Sequence, residues 1–337
     1  MRRRSAQFVA NLVVYDEPHV IYLLAKKSPI LAVAIEPSTD CGDDFFAASI
    51  SARTWERYRQ GTVDLRYALA YSKPRTNFTF SSSALKNGKV MMTPFEGKIL
   101  EIYLPDSGFF SDDHTEEFDL ERIEGETEDH LYIDGEWAVN EFGSFYQKYS
   151  DLYFFSSTIE ALKDTQTPQR TVAAIKKSFA SRPFQGGGSY VHLFDDFEQI
   201  IPREKRLALE GIMYNSPGEV RISGSASQLQ QVESWVNHFI SKQDALNDKY
   251  RELRQYLSKR KLLTASPASY DHTDSDYLKH ASNELYGSLS LGSSEKIYAA
   301  CGNHSLVFAK VVLSIFRRIA GTAGYFAEGR MSFDERE

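Results

Sequence analysis

From Ala226 to Leu263 the chain runs without a proline or a glycine, and its apolar residues recur with a seven-residue period. Place Leu229, Val236, Gln243, Tyr250 and Leu257 at one seam position and Val232, Phe239, Leu246, Leu253 and Arg260 at the other. Eight of these ten are then apolar or aromatic. Residues seven apart fall on nearly the same side of a helix, so the pattern predicts one long helix over 226–263. A seam repeating every 3.5 residues or so winds left-handed around whatever it meets. The seam either packs on its own domain or projects and pairs with another protein or a second copy. Trp235 and Ile240 lie beside it and widen the apolar face, which favours docking on several elements. The candidate interaction residues are Leu229, Val232, Val236, Phe239, Leu246, Tyr250, Leu253 and Leu257, and a homodimer is one plausible product.

The other end of the chain reads differently. Apolar runs at Phe8–Tyr15, Val20–Leu24, Ile30–Ile35 and Phe45–Ile50 are each too short for a stable helix. Turn chemistry separates them: Asp16-Glu17-Pro18, Lys26-Lys27-Ser28-Pro29 and Pro37-Ser38-Thr39-Asp40. This spacing predicts an antiparallel meander. Ser51 is placed to cap a helix through Trp55 and Arg59, Gly61 stops it, and a second short helix follows. Further strands are expected at Asn77–Phe80, Val90–Thr93 and Ile99–Leu104.

Tyr15-Asp16-Glu17-Pro18, the two apolar strands and the run Ser51 to Leu69 together resemble an uncharacterised bacterial domain family, over roughly residues 7–105. In that family an opening strand ends near a proline, a hairpin follows, and a helix leads into a Gly-x-x-x-Leu-Arg element, here Gly61 to Arg66. The family usually carries a glycine in the hairpin turn, where this chain has Lys26-Lys27-Ser28-Pro29. The resemblance implies a small antiparallel sheet with a helix and implies no reaction. It suggests a bacterial setting of the multi-gene, anti-phage defence type.

Charge is unevenly spread. Thirteen Asp/Glu and one Arg lie between Asp106 and Glu136, a local charge of −12 against −7 for the whole chain, which leaves +5 elsewhere. Such a stretch is either a solvated loop or hairpin, or an acidic patch that docks on a basic partner or imitates nucleic acid. Phe118, Leu120, Ile123, Leu131 and Trp137 interleave the charges, so part of it should fold. Cys41 and Cys301 are too few for a disulfide framework or a thiolate zinc site, which points to a reducing cytoplasm. The basic start at Arg2–Arg4 is not followed by a continuous apolar run, so no signal peptide is expected. Lys310, Arg317 and Arg318 interrupt the apolar segment Leu306–Phe326 and argue against a membrane helix.

The middle of the chain is mixed. Phe142–Phe155 is aromatic-rich, Thr165–Arg170 reads as a linker, and Thr171 opens a helix. Gly186-Gly187-Gly188 introduces an expected strand over Tyr190–Phe194. Leu207–Leu209 and Val220–Ile222 flank Tyr214-Asn215-Ser216-Pro217-Gly218, a hairpin signature. After the long helix, further helices are expected at Ser275–Leu291 and Leu306–Ile319, with fraying from Ser332.

Few residues carry chemical promise. The glycines at 186–188 precede a strand and no Lys-Ser/Thr follows, unlike a phosphate-binding loop. Asp271, Asp274, Asp276 and His280 are weak metal candidates, since alternating carboxylates chelate hard cations; the glycine and glutamate of a calcium loop are missing. Cys301-Gly302-Asn303-His304 sets a thiol near an imidazole without assuring the geometry of a nucleophile. From Lys242 to Lys261, seven Lys/Arg face three Asp/Glu, and Lys249, Arg251, Arg254, Lys259, Arg260 and Lys261 form a weak nucleic-acid candidate.

The expectation is an α+β protein. An N-terminal antiparallel β domain with a helix (1–105) precedes an acidic segment (106–137), a mixed region (138–224) and a helical C-terminal region (225–330). Without a motif of mechanistic spacing, the expected role is a non-enzymatic, cytoplasmic interaction or adaptor protein that needs no cofactor and no membrane. The alternatives are a nucleic-acid-associated protein using the basic helix, and a metal-dependent hydrolase or nuclease.

Overall fold

The computed structural model describes residues 3–35, 44–72, 76–85, 87–116, 118, 126–181, 191–202, 205–270 and 273–335. The chain is mixed α+β and divides into two compact units, Met1–Glu121 and Arg122–Glu337. The division falls inside the acidic segment, and the expected boundaries at 137 and 224 both lie within the second unit.

In the first unit, β1 (Arg4–Val14), β2 (Pro18–Ala25), β3 (Ser28–Ala34), β4 (Phe45–Ser49), β5 (Asn77–Phe80) and β6 (Lys89–Pro94) form a closed antiparallel barrel in chain order. β6 returns to β1 from Arg4↔Met92 to Gln7↔Lys89. The expected strands become a closed sheet with no open edge. Alternate residues such as Leu23, Ile30, Phe45 and Phe80 fill the interior, with Ala32 and Ala47 leaving room for the stacked rings of Phe45 and Phe80, 5.1 Å apart. The other face is buried too. Tyr22, Leu31 and Phe46 lie under α1 (Ala52–Arg59) and α2 (Leu65–Ala70), with Tyr22 and Trp55 stacked at 4.3 Å. Burial on both faces explains why these strands read as continuous apolar runs. Ser51 Oγ accepts from Thr54 N as the N-cap of α1, and Asp64 caps α2. Ile99–Leu104 is not a strand: residues 101–103 make one 3₁₀ turn, which sets Tyr103 against Phe46.

In the second unit, β7 (Glu126–Ile133), β8 (Ala208–Met213), β9 (Gly218–Ser225) and β10 (Met331–Ser332) form an antiparallel sheet in the order β10-β7-β9-β8. Its helices are α3 (Val139–Lys163), α4 (Gln169–Ser181), α5 (Val191–Ile200), α6 (Ala226–Ser241), α7 (Gln243–Lys259), α8 (Ser275–Ser288), α9 (Glu295–Ala300) and α10 (Ser305–Ala327). Every residue of α10 from Ser305 to Phe316 is buried, because α3, α6 and α8 pack around it. Among the described residues, no helix is long and apolar enough to cross a membrane.

Three expectations change here. The long helix 226–263 is broken at Lys242, whose φ of −125° and ψ of 19° are not helical. The break lets Phe239 and Tyr250 both reach Phe316, at ring separations of 5.4 and 4.2 Å. On one straight helix, eleven residues would hold them about 16 Å apart. The seam is accordingly spent inside the unit. Leu229, Val232, Val236, Phe239, Leu246, Leu253 and Leu257 are all buried and Tyr250 partly so, and they offer no seam to a second copy. Of the expected Tyr190–Phe194 strand, Tyr190 lies outside the described residues and the rest belongs to α5, which buries Leu193, Phe194 and Phe197 against the core. The tail expected to fray from Ser332 instead contributes β10, pairing Met331 with Ile133 and Ser332 with Tyr132.

Candidate interaction surface

The β8–β9 hairpin is fixed by its turn. A Cβ on Gly218 would lie 2.5 Å from Met213 O and 2.7 Å from Asn215 N, so only glycine fits. Ser216 Oγ donates to the Asp134 carboxylate, and Trp137 N donates to Tyr214 Oη at 3.2 Å, which ties the turn to the end of β7. The register sets Leu209 opposite Ile222 and Ile212 opposite Val220, with a bulge between Leu209 and Gly211. Directly opposed residues share a face, so Leu209 and Ile212 belong to the face that Ile222 and Val220 bury. Yet Leu209 is 46% and Ile212 48% exposed. The reason is coverage: α6 packs on β7 and β9, and β8 extends beyond it. Met213 and Tyr214 add 55% and 56% exposed apolar surface at the hairpin tip. β8 stands at the end of the strand order, so the backbone groups on its outer side have no ladder partner among the described residues.

The second half of the acidic segment forms β7 of this same sheet. On the sheet's opposite face Glu128 and Glu219 flank Arg221, at 3.4 and 3.8 Å, and His130 Nδ1 lies 2.9 Å from Glu219. Glu210 accepts from Ser223 Oγ beside them. A cavity of about 190 Å³ at the end of this face is lined by Tyr132, Asp134, Met213, Glu219, Met331 and Glu335. Desolvation first, then Glu335 and Glu219, push the Tyr132 hydroxyl above its ordinary pKa, as expected in an anionic neighbourhood.

The other candidates are dispersed. Of the basic set, Lys249 pairs with Glu284 at 3.4 Å, Arg251 with Asp248 at 3.4 Å and Arg260 with Asp274 at 2.9 Å. Arg254, Lys259 and Lys261 are exposed. Asp274, read as a metal candidate, accepts from Tyr256 Oη at 2.6 Å and from Arg260 Nε at 3.0 Å. Hydrogen bonds from Arg260 and Tyr256 hold its carboxyl below the usual range, and it serves as a structural tie between α7 and α8. Asp276 is exposed in the first turn of α8, and exposed His280 lies 3.7 Å from Glu284. Asp271 and the glycines 186–188 lie outside the described residues. Among the described residues no group of three potential metal ligands converges. Cys301 is buried, which pushes its thiol pKa well up, while His304 caps α10 through Nδ1. A protonated buried thiol is a poor nucleophile.

Two pairs escaped the sequence reading. Tyr58, fully buried, meets His114 Nε2 at 2.6 Å beside a cavity of about 200 Å³ lined by Arg59, Asp112, His114 and Phe118. Burial chiefly, then Asp113 and Asp112, raise the Tyr58 pKa; burial lowers that of His114 despite the same carboxylates. The phenol and the imidazole share this hydrogen bond, and the pair tethers the loop carrying His114 to α1. In the second unit Asp151 of α3 accepts from Arg318 Nε of α10, and Arg318 also lies over the Phe194 ring at 4.8 Å. Burial raises the Asp151 pKa to about 6, with Arg318 pulling it back. The signal for this pair was present: one carboxylate inside the aromatic run Tyr149–Phe155, and cations inside an apolar helix, each require an opposite charge.

No family model matches the chain, and neither the curated proteins nor the solved structures contain a similar one.

Proposed function

We propose that this chain is a non-enzymatic interaction protein that captures an extended, basic segment of a partner protein along β8. The observation that carries the reading is the apolar edge strand, half exposed at Leu209 and Ile212, in a sheet whose open face is rich in carboxylates. A free edge offers main-chain hydrogen bonds to an added strand, and alternate side chains select what binds. An acidic sheet selects for Lys/Arg and disfavours a second copy of itself, since like charges would be brought together. An adaptor of this kind suits the multi-gene bacterial setting that the N-terminal resemblance suggests. The basic helix is the weaker surface, because half of its candidate cations are already paired with carboxylates.

Selection of random displayed peptides on the full chain tests the reading. Enriched sequences are expected to alternate apolar residues with Lys/Arg, to bind more weakly as salt is raised, and to lose at least tenfold in affinity for a Leu209→Lys/Ile212→Lys chain. Failure to enrich, enrichment of acidic sequences, or binding indifferent to the double substitution would overturn it.

A further inference from the structure

We propose that the outer face of α1 and α2 binds a short single strand of nucleic acid, stacking a base on Tyr71 and pairing phosphates with Arg53 and Arg57. The site lies in the first unit and owes nothing to the β8 edge.

Charge is the first observation. α1 and α2 carry four arginines and one glutamate, in a chain of net charge −7. Two of the four are engaged locally: Arg59 lies 3.8 Å from Glu56, and Arg66 donates to the Glu101 carboxylate and, at 3.0 Å, to Pro105 O. Arg53 and Arg57 stand one turn apart and share a side of α1. Neither makes an ion pair among the described residues. Arg53 is exposed, and Arg57 lies over the Tyr67 ring, 5.4 Å from its centroid. A ring attracts a guanidinium but does not neutralise it, so both arginines keep their charge for an anion.

The aromatic side is the second. Tyr67 and Tyr71 are likewise one turn apart, and the Tyr71 N–H bonds Tyr67 O at 3.1 Å, which continues α2 by one residue. Their rings lie 4.7 Å apart at 32°. Tyr67 is 38% exposed and Tyr71 76%, and Tyr67 is the only ring that Tyr71 meets among the described residues. Cation, ring and ring thus form a row that ends on an open aromatic face. Any base stacks on such a face, because every base has a π-face, and the phosphates that link bases match the arginines. Neither contact reads the sugar, so DNA and RNA serve alike. Two rings stacked on each other leave no slot between them for a proline, which disfavours a proline-rich peptide.

Anisotropy titration of the full chain with a short labelled oligo(dT) tests this. Binding is expected at low salt, with log affinity falling against log salt at a slope of about −1.4, for two phosphates at about −0.7 each. Arg53→Gln and Arg57→Gln should each flatten that slope by about 0.7. Tyr71→Ala, at an exposed position, should weaken binding about fivefold or more with the slope unchanged, and Tyr71→Trp should not. An abasic strand of the same length should bind the parent chain no better than oligo(dT) binds the Tyr71→Ala chain, and oligo(U) should bind like oligo(dT). The proposal is overturned if oligo(dT) fails to bind at low salt, if duplex DNA or the abasic strand binds as tightly as oligo(dT), or if the three substitutions leave affinity and slope unchanged. A proline-rich peptide that binds where oligo(dT) does not, and is lost in Tyr71→Ala, would overturn it in favour of a protein partner.

Discussion

Among the described residues of the barrel unit the buried polar side chains other than tyrosine are Ser49 and Asn77, and neither carries a charge; in the helical unit Asp151, Asp274 and Lys310 are driven to 6, 8 and 2% exposure. The contrast follows from how each unit satisfies its backbone. A closed barrel pairs its strands all the way round, so an apolar interior of alternating large and small residues completes it. A helix such as α10 satisfies its own backbone and is free to rotate or slide against its neighbours. Arg318 on Asp151, and Lys310 Nζ donating to Ala265 O at 2.6 Å, give it one register. Buried ionic groups contribute little net stability but make misplacement expensive. The teaching is that a closed ladder fixes its own register, whereas packed helices have theirs fixed by buried charges and their partners.

The largest expected effect breaks that register. Arg318→Met leaves Asp151 buried without its guanidinium and should cost about 3–5 kcal/mol in urea unfolding. Arg318→Met with Asp151→Leu should recover most of that loss, and failure to recover would show that the pair stabilises rather than specifies. Next in size is Lys310→Met. Burial lowers the Lys310 pKa to about 8, against 10.5 for an ordinary lysine. The unfolded chain therefore holds more protons between those values, and stability rises with pH across that window. At pH 7, where Lys310 is charged and buried, the substitution should gain about 1–2 kcal/mol. The gain should vanish by the upper end of the window; a loss at pH 7 would mean the ammonium's hydrogen bonds outweigh its desolvation.

A third prediction sets the units against each other. The Asp151 pKa is raised to about 6, so its contribution is present below the ordinary carboxylate value and lost as pH rises through 6. The His114 pKa is lowered, so its contribution is present above the ordinary value of 6.5 and lost as pH falls below it. Of the three tryptophans, Trp55 lies in the barrel unit and Trp137 and Trp235 in the helical one. Chains keeping only Trp55 or only Trp235 should report opposite contributions between pH 4 and pH 7, each abolished by its own substitution, His114→Gln or Asp151→Asn. Parallel profiles unaffected by these changes would remove the contrast.

Local signals carried much of the fold. The Ser51 cap, the strands β2 to β6 and the Tyr214–Gly218 turn were legible because each depends on neighbours a few residues away. What failed was decided at long range. Phe142–Phe155 shows no helical stripe because α3 is buried on every side from Asp151 to Ser156. The run Val191–Phe194 mimics a strand because Leu193 and Phe194 begin the buried stripe of α5 that Phe197 continues one turn later. The break at Lys242 has no proline or glycine to announce it; two aromatic residues converging on Phe316 require it. The hairpin holding β8 was visible, but its exposure was not, because that depends on which helices stop short of it. Asp274 looked like a ligand until Arg260, fourteen residues earlier, was found against it.

The smallest prediction returns to the barrel and to the one turn where the resemblance departs from its family pattern. Lys26 links β2 to β3 with φ at +59°, a left-handed conformation that costs a side chain about 1 kcal/mol and costs glycine nothing. The pairs Leu24↔Pro29 and Ala25↔Ser28 bracket it, so the turn must close within two residues. Lys26→Gly should raise barrel stability by a few tenths to about 1 kcal/mol, the strain relieved being partly offset by the freer unfolded chain. Lys27→Gly, at a position without positive φ, should lower it by a comparable amount. If the two changes act alike, the turn is adaptable and β2–β3 register is set by the buried strand faces alone; if they differ in sign, the local turn helps to hold a barrel that has no buried charge among the described residues to do so.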